Sequence, residues 1–180
     1  MDIYIVSKNL AGNISQEVLY KFKNKNITNK NKLIEHCFAY YMLNQILHTK
    51  YNINNYTLEF IGNKPYLANR EKYISISHSH EYIAICISDC DCGIDIELNK
   101  DRNYERIAKH MNFSCKNLQE FYEQWTKYEA VYKLNKQPES FKTYNIDNYT
   151  ITAVSSNINE IFNICIKNWI NFSKAAEWFH

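Results

Sequence analysis

The chain has 180 residues, 46% of them apolar, and a formal net charge of +2. Such length and composition suit one large domain or two small ones with a packed core, and exclude a disordered chain. So small a net charge argues against bulk binding of nucleic acid, and no apolar run nears the ~18 residues of a membrane span.

The start, Met1-Asp2-Ile3-Tyr4-Ile5-Val6, is too short for a secretory leader and has an acid where a basic region belongs. Residues 1–7 read instead as a first strand. A soft helical or turn region follows at Ser15–Phe22. From Lys21 to Lys32 there are five lysines and no acid. Leu33 to His48 reads as a long helix, because Leu33, Ile34, Cys37, Phe38, Tyr41 and Leu47 cover a wide apolar face. Tyr56–Ile61 is a short strand, and Gly62-Asn63-Lys64-Pro65 is turn chemistry, with proline expected to stop pairing.

Tyr73–Ser77 alternates as a strand, with His78-Ser79-His80 at its end. Tyr82–Ser88 and Gly93–Leu98 are further strands, joined by a turn at Asp89–Asp91. Asn103–His110 is a short helix and Leu118–Leu134 a strong one. Tyr144–Ile146, Thr150–Ser155 and Ile161–Ile166 read as strands, and Phe172–His180 as a terminal helix. The short connections favour antiparallel hairpins. The order predicts an α+β fold of two similar halves, residues 1–90 and 91–180, related by a pseudo-twofold axis. Each half would be a small antiparallel sheet packed on a long helix. The abundant Asn, Lys, Ile and Tyr and the scarce Gly and Pro read as coding bias. The six cysteines lack the spacing of a disulfide framework, which points to reduced thiols and a cytoplasmic protein.

The chemistry concentrates in two stretches. Asp95 and Glu97 are two apart on a strand and share a face. Glu129 falls on the helix stripe marked by Leu118, Phe121, Tyr122, Trp125 and Tyr132. Three carboxylates aimed at a partly buried place need a cation, a proton or hydrogen-bond donors. Mg²⁺ with phosphate oxygens suits them, and Mn²⁺ takes the same oxygen ligands. Lys133, one turn beyond Glu129, would reach a phosphate oxygen. The bland alternatives are a solvated strand face and a surface Glu129–Lys133 pair worth about 0.3–0.5 kcal/mol. Ser77, His78 and Ser79 at a strand end suit phosphate too. Zinc on His78, His80, Cys86, Cys90 and Cys92 is disfavoured by their spacing. The lysines at 21–32 are either a solvated loop or an attractor for a phosphate-rich cofactor or an acidic partner.

Four segments, in order, resemble the 4′-phosphopantetheinyl transferases, in particular the larger surfactin-synthetase-activating type. Asn63-Lys64-Pro65 is similar to the family's G-K-P, and Ile76-Ser77-His78-Ser79 to its N-I-S-H-S. Gly93-Ile94-Asp95-Ile96-Glu97 matches its G-I-D-I-E. The stretch from Trp125 to Lys133, WTKYEAVYK, resembles its W-S/T-x-K-E-A/S-x-x-K. The family's lysine before the helix glutamate is Tyr128 here, and its early-helix arginine is absent.

The resemblance implies a holo-[acyl-carrier-protein] synthase activity. The enzyme would move the phosphopantetheine arm of coenzyme A to a serine of an apo acyl or peptidyl carrier protein, as fatty acid biosynthesis requires, and release 3′,5′-ADP. It makes Asp95, Glu97 and Glu129 ligands of Mg²⁺, with Asp95, Glu129, Lys133 and His78 catalytic. Glu129 would help to deprotonate the incoming serine. Lys133 would meet the leaving phosphate, and His78 a pyrophosphate oxygen. Ser77 and Lys64 would hold the nucleotide end, and Lys30, Lys32 or His36 would stand in for the absent arginine. A monomer suffices if the site lies between the halves. The rival expectations are a non-catalytic coenzyme A or carrier-binding module of the same fold, and a metal-dependent phosphoesterase.

Overall fold

The computed structural model describes residues 1–24, 26–62 and 64–167. Strand β1 (Asp2–Ser7) leads through 3₁₀ turns and a short helix α1 (Gln16–Leu19) to the long helix α2 (Lys30–Tyr51). A hairpin of β2 (Leu58–Ile61) and β3 (Lys64–Leu67) follows, then β4 (Tyr73–Ser79), β5 (Tyr82–Ser88) and β6 (Cys92–Leu98). Helices α3 (Tyr104–Met111) and α4 (Leu118–Leu134) precede β7 (Ser140–Ile146), β8 (Tyr149–Ser155) and β9 (Asn163–Lys167). The terminal helix expected at Phe172–His180 lies outside the described residues.

Asparagine sets the helix ends. Asn29, Asn103 and Asn117 accept the first-turn N–H groups of α2, α3 and α4, and Asn52, Asn112 and Asn135 end the same helices at φ 56°, 56° and 61°. Glycine usually takes that left-handed cap, and asparagine is its usual substitute. The abundance of asparagine thus has structural work at six positions, beyond the coding bias expected of it.

The fold is α+β. One sheet runs β4-β5-β1-β9, a second runs β6-β8-β7, and β2-β3 is a separate ribbon. Pairing is antiparallel except between β1 and β9, which run parallel. The first sheet is therefore mixed, and a strand from beyond residue 90 completes it. Pro65 also departs from expectation. It sits opposite Phe60 within the β2-β3 ribbon, and the chain turns at Gly62 with φ 61°. A two-stranded ribbon pairs only one edge of each strand, so a missing N–H is tolerated.

Alternation in the strands builds four layers. Val6, Ile74, Ile83, Ile85 and Ile87 pack under Leu33, Cys37, Phe38 and Leu47 of α2. The opposite face of that sheet, with Ile3, Ile5, Ala84 and Cys86, meets Ile94, Ile96, Ile151 and Ala153 of the second. On the far side of the second sheet, Val154 packs on Ala130 and Leu134 of α4. The order is helix, sheet, sheet, helix. Among the described residues, no helix is long and apolar enough to cross a membrane.

Candidate functional site

The site forms where β4, the edge of the first sheet, runs beside β6, the edge of the second. Backbone pairing stops there and serine side chains continue it. Ser75 Oγ accepts the Ile94 N–H at 3.2 Å and Ser79 Oγ accepts the Leu98 N–H at 3.1 Å. Ser77, between them, donates to Asp95 Oδ1 at 2.7 Å, and Ser79 also donates to Glu97 Oε2 at 3.0 Å. Three serines at a period of two therefore tie the sheets together and orient both strand carboxylates. Of these, the sequence resemblance placed Ser77 at the nucleotide end. It is instead buried and bonded to Asp95.

Helix α4 closes the site from the other side, and Gly93 sets how closely. A Cβ on Gly93 would lie 2.1 Å from the Ala130 carbonyl oxygen and 2.9 Å from the Leu134 nitrogen. Only a residue without a side chain lets the helix backbone rest on the strand there. That approach carries Lys133 onto β6, where its ammonium donates to Asp95 Oδ1 at 2.7 Å and to the Ile94 carbonyl at 3.0 Å. The surface Glu129–Lys133 pair, the bland alternative for these residues, gives way to this longer-range bridge to a buried carboxylate.

The stripe on α4 also differs from the expected one. Phe121, Tyr122, Thr126, Ala130 and Leu134 are buried, whereas Tyr132 is 75% exposed. The inward line drifts around the helix because 3.6 residues per turn do not repeat every seven. Glu129 flanks that line and is half-buried. Tyr128, at the family's lysine position, is exposed and leans on the Phe113 ring at 6.0 Å between centroids.

Charge in the site is only partly compensated. Burial raises the proton affinity of Glu97, and the charge of Asp95 raises it further; the Ser79 hydroxyl and the Trp125 indole pull the other way. Glu129 is raised by the same two causes in the same order, opposed by Lys133. Asp95 is 5% exposed, and among the described residues its buried Oδ2 has no hydrogen-bond partner. A carboxylate oxygen left without a hydrogen-bond donor in this way is rare in a folded interior and fits a ligand oxygen for a cation. Among the described residues, however, no three His, Cys, Asp or Glu side chains stand close enough to share one metal ion. The expected cage of Asp95, Glu97 and Glu129 is not drawn together as the chain stands, with Lys133 on Asp95 and Ser79 on Glu97.

The remaining expected residues lie on β4, β3 and α2. His78 lies on the face of β4 opposite Ser77 and is exposed. Desolvation lowers its pKa, with Glu35, Lys8, Lys133 and Asp95 within electrostatic reach. Lys64 donates to the Cys92 carbonyl at 2.9 Å, at the start of β6, and burial lowers its pKa. Lys32 is exposed in the first turn of α2. Near that helix, Lys21, Lys23, His36, Tyr40 and Phe60 line an open groove of about 450 Å³. A larger groove of about 700 Å³, beside Asn44, Asn55 and Asn69, has none of the expected site residues in its wall.

In the sequence Gly93 reads only as part of a motif, and Ser79 only as a group for phosphate and not as an anchor of Glu97 and Leu98. Both carried a signal: a glycine inside an alternating strand marks a close approach, and serines at 75, 77 and 79 share one strand face. Comparison with protein-family models finds no match to this chain, and comparison with curated protein sequences finds none.

Proposed function

We propose that the protein is a Mg²⁺-dependent 4′-phosphopantetheinyl transferase, acting on coenzyme A and an apo acyl or peptidyl carrier protein, with two pseudo-twofold halves (1–90 and 91–180) around the site, the sheet of the first completed by β9 from the second. The observation that carries this reading is Asp95. It is a buried carboxylate with one oxygen held by Ser77 and Lys133 and the other unpartnered, flanked by two carboxylates whose proton affinity its charge raises. The same residues carry the family resemblance.

In this reading Asp95, Glu97 and Glu129 would hold the divalent ion, either Mg²⁺ or Mn²⁺. When bound, it supplies positive charge against the diphosphate of coenzyme A. The chain's own residues do the rest. Glu129, free of the hydrogen bonds that engage Asp95 and Glu97, takes the proton of the carrier serine as its oxygen attacks phosphorus. Lys133, with its long stem and a quarter of its side chain exposed, turns its ammonium to the leaving phosphate. His78, exposed near the end of β4, donates to a phosphate oxygen. Ser77 acts here as a positioning residue for Asp95. Lys64, bonded at the start of β6, and Lys32, exposed in the first turn of α2, serve the nucleotide end, where the groove by His36 and Phe60 offers rings and ammonium groups.

The test is mass spectrometry of an apo-carrier incubated with the protein, coenzyme A and Mg²⁺. The expected outcome is a gain of one phosphopantetheine group on the carrier serine. Glu129→Gln should cut the rate by about 10²-fold or more without moving the thermal unfolding midpoint. Released phosphate with no carrier modification would favour a phosphoesterase. Binding of coenzyme A with neither product would favour a non-catalytic module.

A further inference from the structure

We propose that Lys133 occupies, in the free protein, the place on Asp95 that a divalent cation takes in the working complex, so that the cation enters together with a diphosphate ligand and not ahead of it. This rests on the metal-dependent reading above and adds an order of binding and a substrate form, the metal–diphosphate chelate.

The geometry is specific. Asp95 Oδ1 already receives two donors, Ser77 Oγ at 2.7 Å and Lys133 Nζ at 2.7 Å, and the same ammonium reaches the Ile94 carbonyl at 3.0 Å. A carboxylate this deeply buried requires a compensating positive charge, and the lysine is the one in contact with it. Oδ2 remains without a partner, so the ammonium compensates the charge but does not complete the coordination of the group. A doubly charged ion on this carboxylate would meet a like charge at contact distance. The repulsion is relieved when a phosphate gives the ammonium another anion to hold. Lys133 is placed to make that exchange, because its side chain is 25% exposed while Asp95 is 7% exposed. Glu97 and Glu129 lie within electrostatic reach of Asp95, and their charge favours the incoming cation. By linkage, phosphate and cation must then each strengthen the other's binding.

The experiment measures Mn²⁺ binding to the full chain by electron paramagnetic resonance, first with the ion alone and then with saturating inorganic pyrophosphate. Lys133→Gln should bind Mn²⁺ alone about tenfold more tightly than the unaltered protein, and pyrophosphate should raise the affinity of the unaltered protein about tenfold but that of the variant less. Lys8→Gln removes a nearby positive charge that pairs with Glu35 and does not touch Asp95. It should leave Mn²⁺ affinity within about twofold, as a screened charge would. Equal affinity in Lys133→Gln and the unaltered protein overturns the proposal, as does an equal gain in Lys8→Gln. Should Lys133→Gln fail to fold, anomalous scattering from crystals of the unaltered protein decides. Manganese at Asp95 only with pyrophosphate, with Nζ moved away, supports exchange. Manganese at Asp95 with Lys133 still bonded overturns it. The carrier-modification assay separates the two readings. Exchange without transfer upholds this inference and removes the transferase reading, and transfer without a gain in Lys133→Gln does the reverse. No Mn²⁺ bound under any condition overturns both.

Discussion

At Gly93 a single missing side chain determines whether the site exists. Alanine there would drive its Cβ into the Ala130 carbonyl at 2.1 Å, a backbone atom that cannot swing aside. Gly93→Ala should lower stability by about 1–3 kcal/mol or more, as overpacking does, read as a shift in the denaturant midpoint. Because the strain pushes α4 away from β6, the same variant should weaken the Lys133–Asp95 contact. Asp95 itself was legible from alternation and motif together. Its bonding was not: nothing local in the sequence pairs residue 95 with residue 133, or residue 77 with residue 95. Tyr132 shows the opposite error. It looked like part of an apolar stripe, yet it is 75% exposed, because a helical wheel counts spacing and cannot tell which side of the helix the sheet will cover.

Strand β4 does its work as an element. Its inward serines replace a backbone ladder where two sheets meet, and Ser79 serves a strand N–H and a carboxylate at once. Burial already holds Glu97 above the ordinary carboxylate range, and the Ser79 hydroxyl works against that rise. Ser79→Ala should therefore raise the Glu97 pKa further, measured by ¹³C titration of its carboxyl carbon. The sign for stability follows. A carboxyl raised in the folded state binds its proton more tightly than in the unfolded chain. Stability is thus lost as pH rises from the ordinary carboxylate value through the raised one, and the variant widens that window. Helix α4 was legible to the residue from its apolar spacing, whereas α2, expected at Leu33–His48, runs from Lys30 to Tyr51 because its asparagine caps, Asn29 and Asn52, read as coding bias. The β2-β3 ribbon was less so, because its turn chemistry hid a strand that contains Pro65.

Across the whole molecule, Glu160 joins segments far apart in the chain. Its carboxylate accepts from Ser88 Oγ at 2.9 Å, Cys90 Sγ at 3.0 Å and Ser155 Oγ at 2.9 Å, and it pairs with the Met1 ammonium. Burial alone would raise its pKa, but the bonds from Cys90, the N-terminal ammonium, Ser155 and Ser88 together bring it down to about 2. A lowered carboxylate contributes stability above its unfolded value of 4.5 that is lost as pH falls toward about 2. Glu160→Gln should lower the melting temperature at pH 7, and its deficit against the unaltered protein should shrink as pH falls through that interval. Scanning calorimetry across the pH range reads both. A deficit that stays constant with pH would mean that Glu160 acts through packing alone.

The sequence by itself determined the local grammar: where helices begin and end, which strands alternate, the α+β class, and which carboxylates, lysines and serines share short motifs. These follow from spacing and capping, which act over a few residues. The tertiary structure alone decided that β9 returns to lie parallel to β1, that Gly93 seats α4 on β6, and that Lys133 bridges to Asp95 and not to Glu129. Each of those depends on which surfaces meet after collapse. That choice is made by burial and by the need to satisfy buried polar groups across long separations in the chain, and no window of neighbouring residues contains it.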